Sequence, residues 1–168
     1  MSADHTHVVP RPGESAPFHF ATHWHFSQPS ARVWEVFQNI GRWHEWWPGV
    51  RDSTTLNGAA RAGSQGARAA LRVHRPLVRD LRLILTVTRA TPPVAARVDV
   101  AGDLRGHGHW HAVEDGTGCR VEIVWCVVTR SRIAKAARGA SAWTHRRVMD
   151  GGLHGLRRRL EESAVREE

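Results

Sequence analysis

FHFATHWHFSQPSARVWEVFQNI, residues 18–40, is the stretch that decides the fold, because an alternating pattern changes here into a helical one. Between Phe18 and Phe26, aromatic side chains alternate with three histidines, which predicts a strand with one buried face. Ser27 offers an N-cap and Pro29 a first-turn residue for the amphipathic helix that follows. The stretch therefore predicts a strand that leads directly into a short helix.

The chain beyond this helix turns once and then alternates again. Gly41 ends the helix, and residues 42–47 predict a second short helix that is stopped by Pro48 and Gly49. From Val50 the period of two returns for about eighty residues, interrupted by turns that contain Gly or Pro. We therefore expect six further antiparallel strands with one face in water. The side chains expected to point inward include Leu81, Leu83, Leu85, Val87, Val121, Ile123, Trp125 and Val127.

The last part of the chain has helical spacing. After Arg130, apolar residues recur every three or four positions as far as about Glu162, which predicts a long C-terminal helix. Glycines interrupt it, and each costs roughly 1 kcal/mol of helix propensity relative to alanine. Either close packing or room for a ligand would explain them. The apolar stripe comprises Ala142, His145, Met149, Leu153, Leu156 and Leu160, and the glycines are Gly139, Gly151, Gly152 and Gly155.

This order of elements, and four segments within it, carry a resemblance. The segments are SARVWEVF at 30–37, WHEWWPGV at 43–50, GDLRGHGHW at 102–110 and WTHRRVMDGGLHGL at 143–156. Together they resemble the START-like, or SRPBCC, superfamily over about residues 18–160, and within it the bacterial polyketide cyclase/dehydrase-like branch. The resemblance is specific for the fold and weak for the activity.

The resemblance implies an α+β helix-grip fold. In this fold a seven-stranded, curved antiparallel sheet carries two short helices after its first strand, and a long C-terminal helix packs across the concave face. It also implies a cavity for a hydrophobic small molecule between sheet and helix. Geometry agrees, because a curved sheet and one helix leave a space between them unless large side chains fill it. We expect the domain to span residues 18–162, with a disordered N-terminal tail at 1–17 and a short C-terminal tail at 163–168.

Charge and composition narrow the classes of partner. A net charge of +8 and a pI near 11.3 raise nucleic-acid binding as a hypothesis. The basic residues are almost all arginines, with Lys135 the sole lysine, and they are scattered through predicted strands. We interpret the run at 157–159 as a solvated helix face and expect no nucleic-acid partner. The sequence leaves homodimerisation open.

The sequence also predicts a cytoplasmic protein without a membrane span. No stretch approaches the roughly 20 apolar residues that a spanning helix needs, and the N-terminus lacks a basic segment followed by an apolar run. Cys119 and Cys126 lie too far apart along one predicted strand to form a disulfide. They are therefore expected to be free thiols in a reducing compartment.

A row of histidines raises the question of a metal. His107, His109 and His111 alternate along one predicted strand, and such spacing can place two imidazoles on one ion. Because Trp110 is expected to point inward, the three histidines are expected on the outer, solvated face. We therefore predict no metal centre and no cofactor, with a surface zinc or nickel site that also uses His23 and His25 as the alternative.

His145 is the catalytic candidate. It lies on the apolar stripe of the last helix, where a lone histidine is either a core residue or a general acid or base. Asp150, one residue beyond the stripe, would orient the imidazole or face water. If the protein is an enzyme, we expect a cofactor-independent cyclase or dehydratase that uses proximity and proton transfer.

The ligand-binding candidates are mostly apolar side chains of the expected cavity. Trp47 and Trp143 are placed near its mouth, while the other tryptophans either line it or fill the core. Around the turn at Pro76 the sequence places a cluster of ionisable residues, Arg72, His74, Arg79 and Asp80. Either an arginine there, such as Arg72, meets an acidic group of the ligand, or the cluster is an ordinary solvated turn. The predicted set is Trp47, Leu83, Leu85, Trp110, Trp125, Trp143, Met149 and Arg72.

Motifs of other reaction classes are missing from the sequence. There is no glycine-rich phosphate loop, no nucleophile elbow and no metal-type cysteine pair, and tyrosine is absent. Two hypotheses follow. The protein binds a hydrophobic small molecule either as a polyketide cyclase or dehydratase, or as a non-catalytic carrier or sensor of a lipid or aromatic metabolite. A convergent pair of protonatable groups that includes His145 would favour the enzyme.

Overall fold

The computed structural model describes residues 6–57, 62–76, 79–136 and 138–165. Residues 1–5 and 166–168 of the two predicted tails lie outside this range. The described elements follow one another in the order that the sequence predicts: one strand, two short helices, six strands and a C-terminal helical segment. The strands are β1 Phe18–Phe26, β2 Val50–Thr55, β3 Arg68–Val73, β4 Leu81–Thr91, β5 Ala95–Gly102, β6 Arg105–Glu114 and β7 Cys119–Val128. The helices are α1 Ser30–Phe37, a 3₁₀ helix Ile40–Glu45, α2 Arg132–Ala136 and α3 Arg138–Val165.

The seven strands form one antiparallel sheet in the order β1-β7-β6-β5-β4-β3-β2. Register shifts between Val50 and Asp52 and between Val87 and Arg89 interrupt two ladders, and such bulges increase the bend of a sheet. The sheet curls into a half-barrel with the long helix α3 beside it. The predicted α+β helix-grip fold is therefore confirmed. Within the described ranges, no helix combines the length and the apolar composition needed to cross a membrane.

The inner face of the sheet carries a core dominated by aromatic side chains. The indole nitrogen of Trp43 donates to the Phe37 carbonyl at 2.8 Å, and that of Trp110 donates to the Pro93 carbonyl at 3.2 Å. Trp24 is fully buried, and its indole N–H has no hydrogen-bond partner among the described residues. The core interpretation therefore applies to most of the tryptophans. Those buried are Trp24, Trp34, Trp43, Trp46, Trp47 and Trp110.

Helix α3 packs against the 3₁₀ helix region through its glycines. A Cβ at Gly155 would overlap the Trp46 carbonyl oxygen, and one at Gly152 would come within 2.5 Å of the Trp47 indole. The Trp47 indole nitrogen also donates to the Val148 carbonyl of α3 at 2.8 Å. Close packing therefore explains these two glycines. The helix extends to Val165, beyond the predicted end at Glu162, and α2 precedes it as a separate turn.

Residues 6–17 lie along the outer face of the sheet, in the segment for which the sequence predicts a disordered tail. Val8 is buried against Cys126 and Val128 of β7. Glu14 forms an ion pair of 2.6 Å with Arg105. Alternate residues of β7 that face outward are apolar at this end of the strand, and the N-terminal segment covers them.

Candidate ligand-binding site

His145 lies on the inner side of β1. Its ring stacks on that of Phe20, with centroids 4.2 Å apart and planes inclined by 11°, and its Nε2 is 3.3 Å from the Thr22 hydroxyl. Burial lowers the pKa of the imidazole from its ordinary 6.5 to about 4. At neutral pH the ring is therefore uncharged, with one nitrogen able to accept a proton.

Asp150 is not brought to His145. Its side chain is exposed, and its backbone carbonyl lies 2.7 Å from His154 Nδ1. Five helical positions rotate a side chain to a different part of the helix surface, which explains the separation. The structure brings Thr22 to the imidazole instead. Sequence spacing could not identify Thr22, because the contact joins β1 to α3 across 123 residues.

A row of half-buried apolar residues crosses the inner face beside His145. Phe20 lies opposite Trp125 in the β1–β7 ladder, Trp125 lies opposite Gly108, and Gly108 lies opposite Val98. Gly108 leaves space that the Trp125 ring occupies, since a Cβ there would come within 2.7 Å of the indole. Leu83 is likewise half-buried on this face. Two of the predicted ligand-binding residues, Leu83 and Trp125, therefore lie where a ligand could touch them.

An apolar cavity of about 40 Å³ lies between this row and the short helices. No described residue of α3 lines it, which differs from the cavity expected between the sheet and the C-terminal helix. Its lining is almost entirely carbon, so its interior favours apolar groups over ions. Trp110 and Trp125 both contribute to its wall. The residues that line it include Trp34, Phe37, Ile40, Trp43, Val87, Ala96, Val98, Gly108, Trp110, Ile123 and Trp125.

The other predicted ligand-binding residues are dispersed. Leu85, Met149 and Trp47 are buried in the core, and Trp47 is fixed there by its bond to α3. Trp143 is 57% exposed, with the Arg147 guanidinium 5.8 Å from its ring centre. Arg72 is exposed on the outer face, because its neighbour Leu71 points into the core and side chains alternate along a strand.

A second cavity, of about 600 Å³, opens at the end of the sheet where the β3–β4, β5–β6 and β7–α2 connections meet. Arginines exceed carboxylates in its lining. Asp103 pairs with Arg79 at 3.0 Å, and Glu14 pairs with Arg105. Of the sequence cluster around Pro76, Arg79 reaches this cavity, whereas His74 pairs with Asp80 at 3.1 Å. The ionic residues in the lining are Arg11, Glu14, Arg75, Arg79, Asp103, Arg105 and Arg130.

The three histidines belong to the outward series of β6, although His109 also contributes to the wall of the apolar cavity. His107 and His109 alternate with the buried, inward Trp110, and their ring centres are 5.1 Å apart. His111, the third residue of the row, is exposed. The outward direction of these side chains agrees with the phase expected from the sequence, but the expected exposure to solvent is wrong for His107, which is buried.

Comparison with known proteins identifies the family. The family model for polyketide cyclase / dehydrase and lipid transport proteins matches residues 17–161. This chain belongs to that family. The match includes the whole sheet and α3 as far as its buried stripe, so the apolar cavity and His145 lie within the family domain. No curated protein sequence matches the chain.

Several solved structures with the same fold superpose over most of the chain. The protein TTHA0849 of Thermus thermophilus has a TM-score of 0.69 at 16% identity, covering 88% of this chain and 99% of the other. The ZhuI aromatase/cyclase of Streptomyces sp. R1128 has a TM-score of 0.68 at 15% identity, covering 89% and 96%. The di-domain aromatase/cyclase StfQ of the steffimycin biosynthetic pathway has a TM-score of 0.67 at 13% identity, covering 89% and 52%. At these identities the likeness concerns the fold.

Proposed function

We propose that this protein binds a hydrophobic small molecule, such as a polyketide chain, a lipid or an aromatic metabolite, on the inner face of the sheet, in a site that extends from the apolar cavity beside the short helices to Phe20 under α3. The observation that carries the proposal is the half-buried apolar row of Phe20, Trp125 and Val98 beside the apolar cavity. Partly exposed aromatic and aliphatic side chains on a concave face gain free energy when a ligand removes them from water. The family description, which includes lipid transport, supports the same chemistry.

Binding requires the cavity to expand. A volume of about 40 Å³ is far below the roughly 300 Å³ of a small-molecule pocket. We refer to residues 138–147 of α3 as its first half and to residues 148–165 as its second half. The difference between them supports expansion, because the second half is buried at Met149, Leu156 and Leu160, whereas most of the first half is exposed. Outward movement of the first half would uncover Phe20, on which His145 stacks, without disturbing the glycine contacts.

The arginine-lined cavity supports an acidic end on the ligand. Leu81 contributes to its wall and belongs to the same inward series of β4 as Leu83 and Leu85. An apolar chain on the inner face could therefore reach the strand ends, where Arg75 or Arg130 would meet a carboxylate or a phosphate. This arrangement would fix the orientation of the bound molecule.

A cyclase or dehydratase activity is the second candidate, and the environment of His145 favours it. A neutral imidazole could take a proton from the carbon next to a carbonyl and return it to a leaving hydroxyl, which departs as water. Thr22, bonded to the ring, would hold its orientation. Against this candidate, the protonatable partner expected at Asp150 lies in solvent. The apolar lining alone fits a carrier or sensor equally well.

The first experiment is native mass spectrometry of the freshly purified protein, followed by extraction of any bound molecule and titration with the apolar fluorophore ANS. We expect a single ANS site. Ala96→Phe should fill the cavity and weaken ANS binding at least ten-fold. Ala21→Phe, an equal change at an exposed position of β1, is the matched control. Circular dichroism of each variant establishes that it has folded.

The outcomes separate the hypotheses. Equal loss of ANS binding in both variants, or an empty protein that does not bind ANS, would contradict the inner-face site. His145→Gln should keep ANS binding. If the protein is an enzyme, this variant should also lose turnover of a poly-β-carbonyl chain, measured as formation of the dehydrated product. Unchanged turnover would leave only the carrier or sensor.

A further inference from the structure

Three side chains that commonly bind metal ions meet on the outer face of the sheet. They are His7 of the N-terminal segment, His19 of β1 and Cys126 of β7, and their ligand atoms all lie within 4.8 Å of one another. The Cys126 sulfur is 3.7 Å from His7 Nδ1, and the rings of His7 and His19 are 5.4 Å apart at an angle of 70°. Segments distant in sequence therefore present two imidazoles and one thiol to a common point.

The sheet and the N-terminal segment each fix part of this cluster. His19 lies directly opposite Cys126 in the antiparallel β1–β7 ladder, so both side chains project from the same face as close neighbours. His7 is held above them because Val8 is buried against Cys126 and Val128. The backbone N–H of Val8 also donates to the Cys126 sulfur at 3.4 Å. The cluster is therefore built by packing and register, rather than by side-chain rotation alone.

The donor set matches zinc and similar thiophilic ions. Zinc binds thiolate at about 2.3 Å and imidazole at about 2.0–2.1 Å in tetrahedral geometry, which places sulfur and nitrogen about 3.6 Å apart. The distance of 3.7 Å from the Cys126 sulfur to His7 Nδ1 is close to this value. An N–H donated to a ligating sulfur, as from Val8, is a typical outer contact of such sites because it stabilises the thiolate.

The other cysteine provides an internal contrast. Cys119 faces the inner side of β7, opposite Phe26 and Glu114, and burial raises the pKa of its thiol to about 11. Its neighbours therefore keep that thiol protonated. The Cys126 sulfur, by contrast, lies beside two exposed histidines and accepts a hydrogen bond from a backbone N–H.

We propose that His7, His19 and Cys126 form a binding site for one thiophilic divalent cation, with Zn²⁺ as the expected ion. Two imidazole nitrogens and one thiolate supply three ligands, and a water molecule completes the tetrahedron. Binding at this site fastens the N-terminal segment to the outer face of the sheet. The site is independent of the ligand-binding face, which lies on the opposite side of the same strands.

The test uses the full chain without an affinity tag, stripped with a chelator and titrated with Co²⁺. We expect one equivalent to bind, with a thiolate-to-cobalt charge-transfer band that Zn²⁺ then removes. Cys126→Ala should abolish the band, and His7→Ala and His19→Ala should each weaken binding at least ten-fold. The matched controls are Cys119→Ala and His23→Ala, which remove a buried thiol and an exposed imidazole of β1 elsewhere. Both controls should keep the band.

Persistence of the band in Cys126→Ala would overturn the assignment, because the thiolate would then have to be Cys119. Loss of the band in His23→Ala but not in His19→Ala would overturn it in favour of other surface histidines. Absence of stoichiometric binding to the wild-type chain would overturn the site itself. Because His7 is exposed, its replacement should not prevent folding. The His7→Ala variant can therefore also be used in a second measurement, the rate of proteolysis. Zn²⁺ should slow proteolysis within residues 6–17 of the wild type and should leave the rate in His7→Ala unchanged.

Discussion

The two halves of α3 are held in different ways. The second half presses Gly152 and Gly155 against Trp46 and Trp47, and Leu156 beside them is fully buried. The first half touches β1 through a stacked imidazole and a surface arginine, and Trp143 on this half is 57% exposed. A helix fixed along one half and lightly attached along the other can open a cavity without losing the fold. This contrast connects the packing to the proposed binding.

Gly155→Ala should produce the largest effect, because the new methyl group would overlap the Trp46 carbonyl oxygen, which cannot rotate away. We expect the free energy of unfolding to fall by about 3 kcal/mol. Gly139→Ala in the first half is the control, since a Cβ there meets no atom, and it should gain up to about 1 kcal/mol from helix propensity. Urea unfolding of both variants measures the difference. Similar changes in the two variants would refute the contrast between the halves.

His145 should make the attachment of the first half depend on pH. Its folded pKa, about 4, is below the ordinary 6.5 because the packing of the ring against Phe20 removes much of it from water, which disfavours the charged form. The unfolded chain therefore binds a proton that the folded chain does not, and stability present above pH 6.5 is lost as the pH falls towards 4. We expect this residue to account for about 2 kcal/mol of the decrease in unfolding free energy between pH 7 and pH 4.5.

Replacement by leucine isolates that contribution. His145→Leu should remove about 2 kcal/mol of the decrease on acidification, measured by urea unfolding at several pH values. Thr22→Val is the control, because it deletes the hydroxyl near Nε2 and leaves the ring buried. Since burial is the cause of the shift, that variant should keep the wild-type dependence. An identical pH profile in His145→Leu and the wild type would contradict the buried, neutral imidazole.

Both halves of α3 also show what the sequence can predict. The period of three to four identifies the buried stripe at Met149, Leu156 and Leu160, and the alternation of β4 and β7 identifies the inward residues, since both patterns are local. The sequence also shows that Gly152 and Gly155 lower the helix propensity of this segment. That they pack against Trp46 and Trp47 becomes known only from the fold. Local patterns therefore predict the order of the strands and helices, whereas the helix-grip arrangement is what the resemblance to the START-like superfamily implies.

Contacts between distant segments cannot be predicted in this way. Sequence spacing suggests a partner for His145 on its own helix, Asp150, whereas the observed partner Thr22 comes from β1. Val8 contacts Cys126 across 118 residues, so a segment that resembles a tail in composition covers part of the sheet. The alternation of β7 does contain a signal, because its outward residues near Cys126 are apolar and need a cover.

Arg138→Ala should have the smallest effect on stability and the most localised effect on motion. The guanidinium lies 4.3 Å from the centre of the Phe18 ring and donates to the carbonyls of Ala16 at 3.0 Å and Pro17 at 2.6 Å. Exposed contacts of this kind contribute about 0.5–1 kcal/mol. Amide hydrogen exchange should therefore become faster in residues 138–147 and stay unchanged in residues 149–160.

Arg146→Ala, an exposed arginine on the same half, is the matched control and should leave exchange as in the wild type. Faster exchange along the whole of α3 in Arg138→Ala would mean that the helix opens as one unit, which would refute a hinge near its middle. Local acceleration together with tighter ANS binding would instead connect the release of this half to access to Phe20. The cost of opening the first half would then be part of the ligand affinity, because a site that is open only part of the time binds more weakly in that proportion.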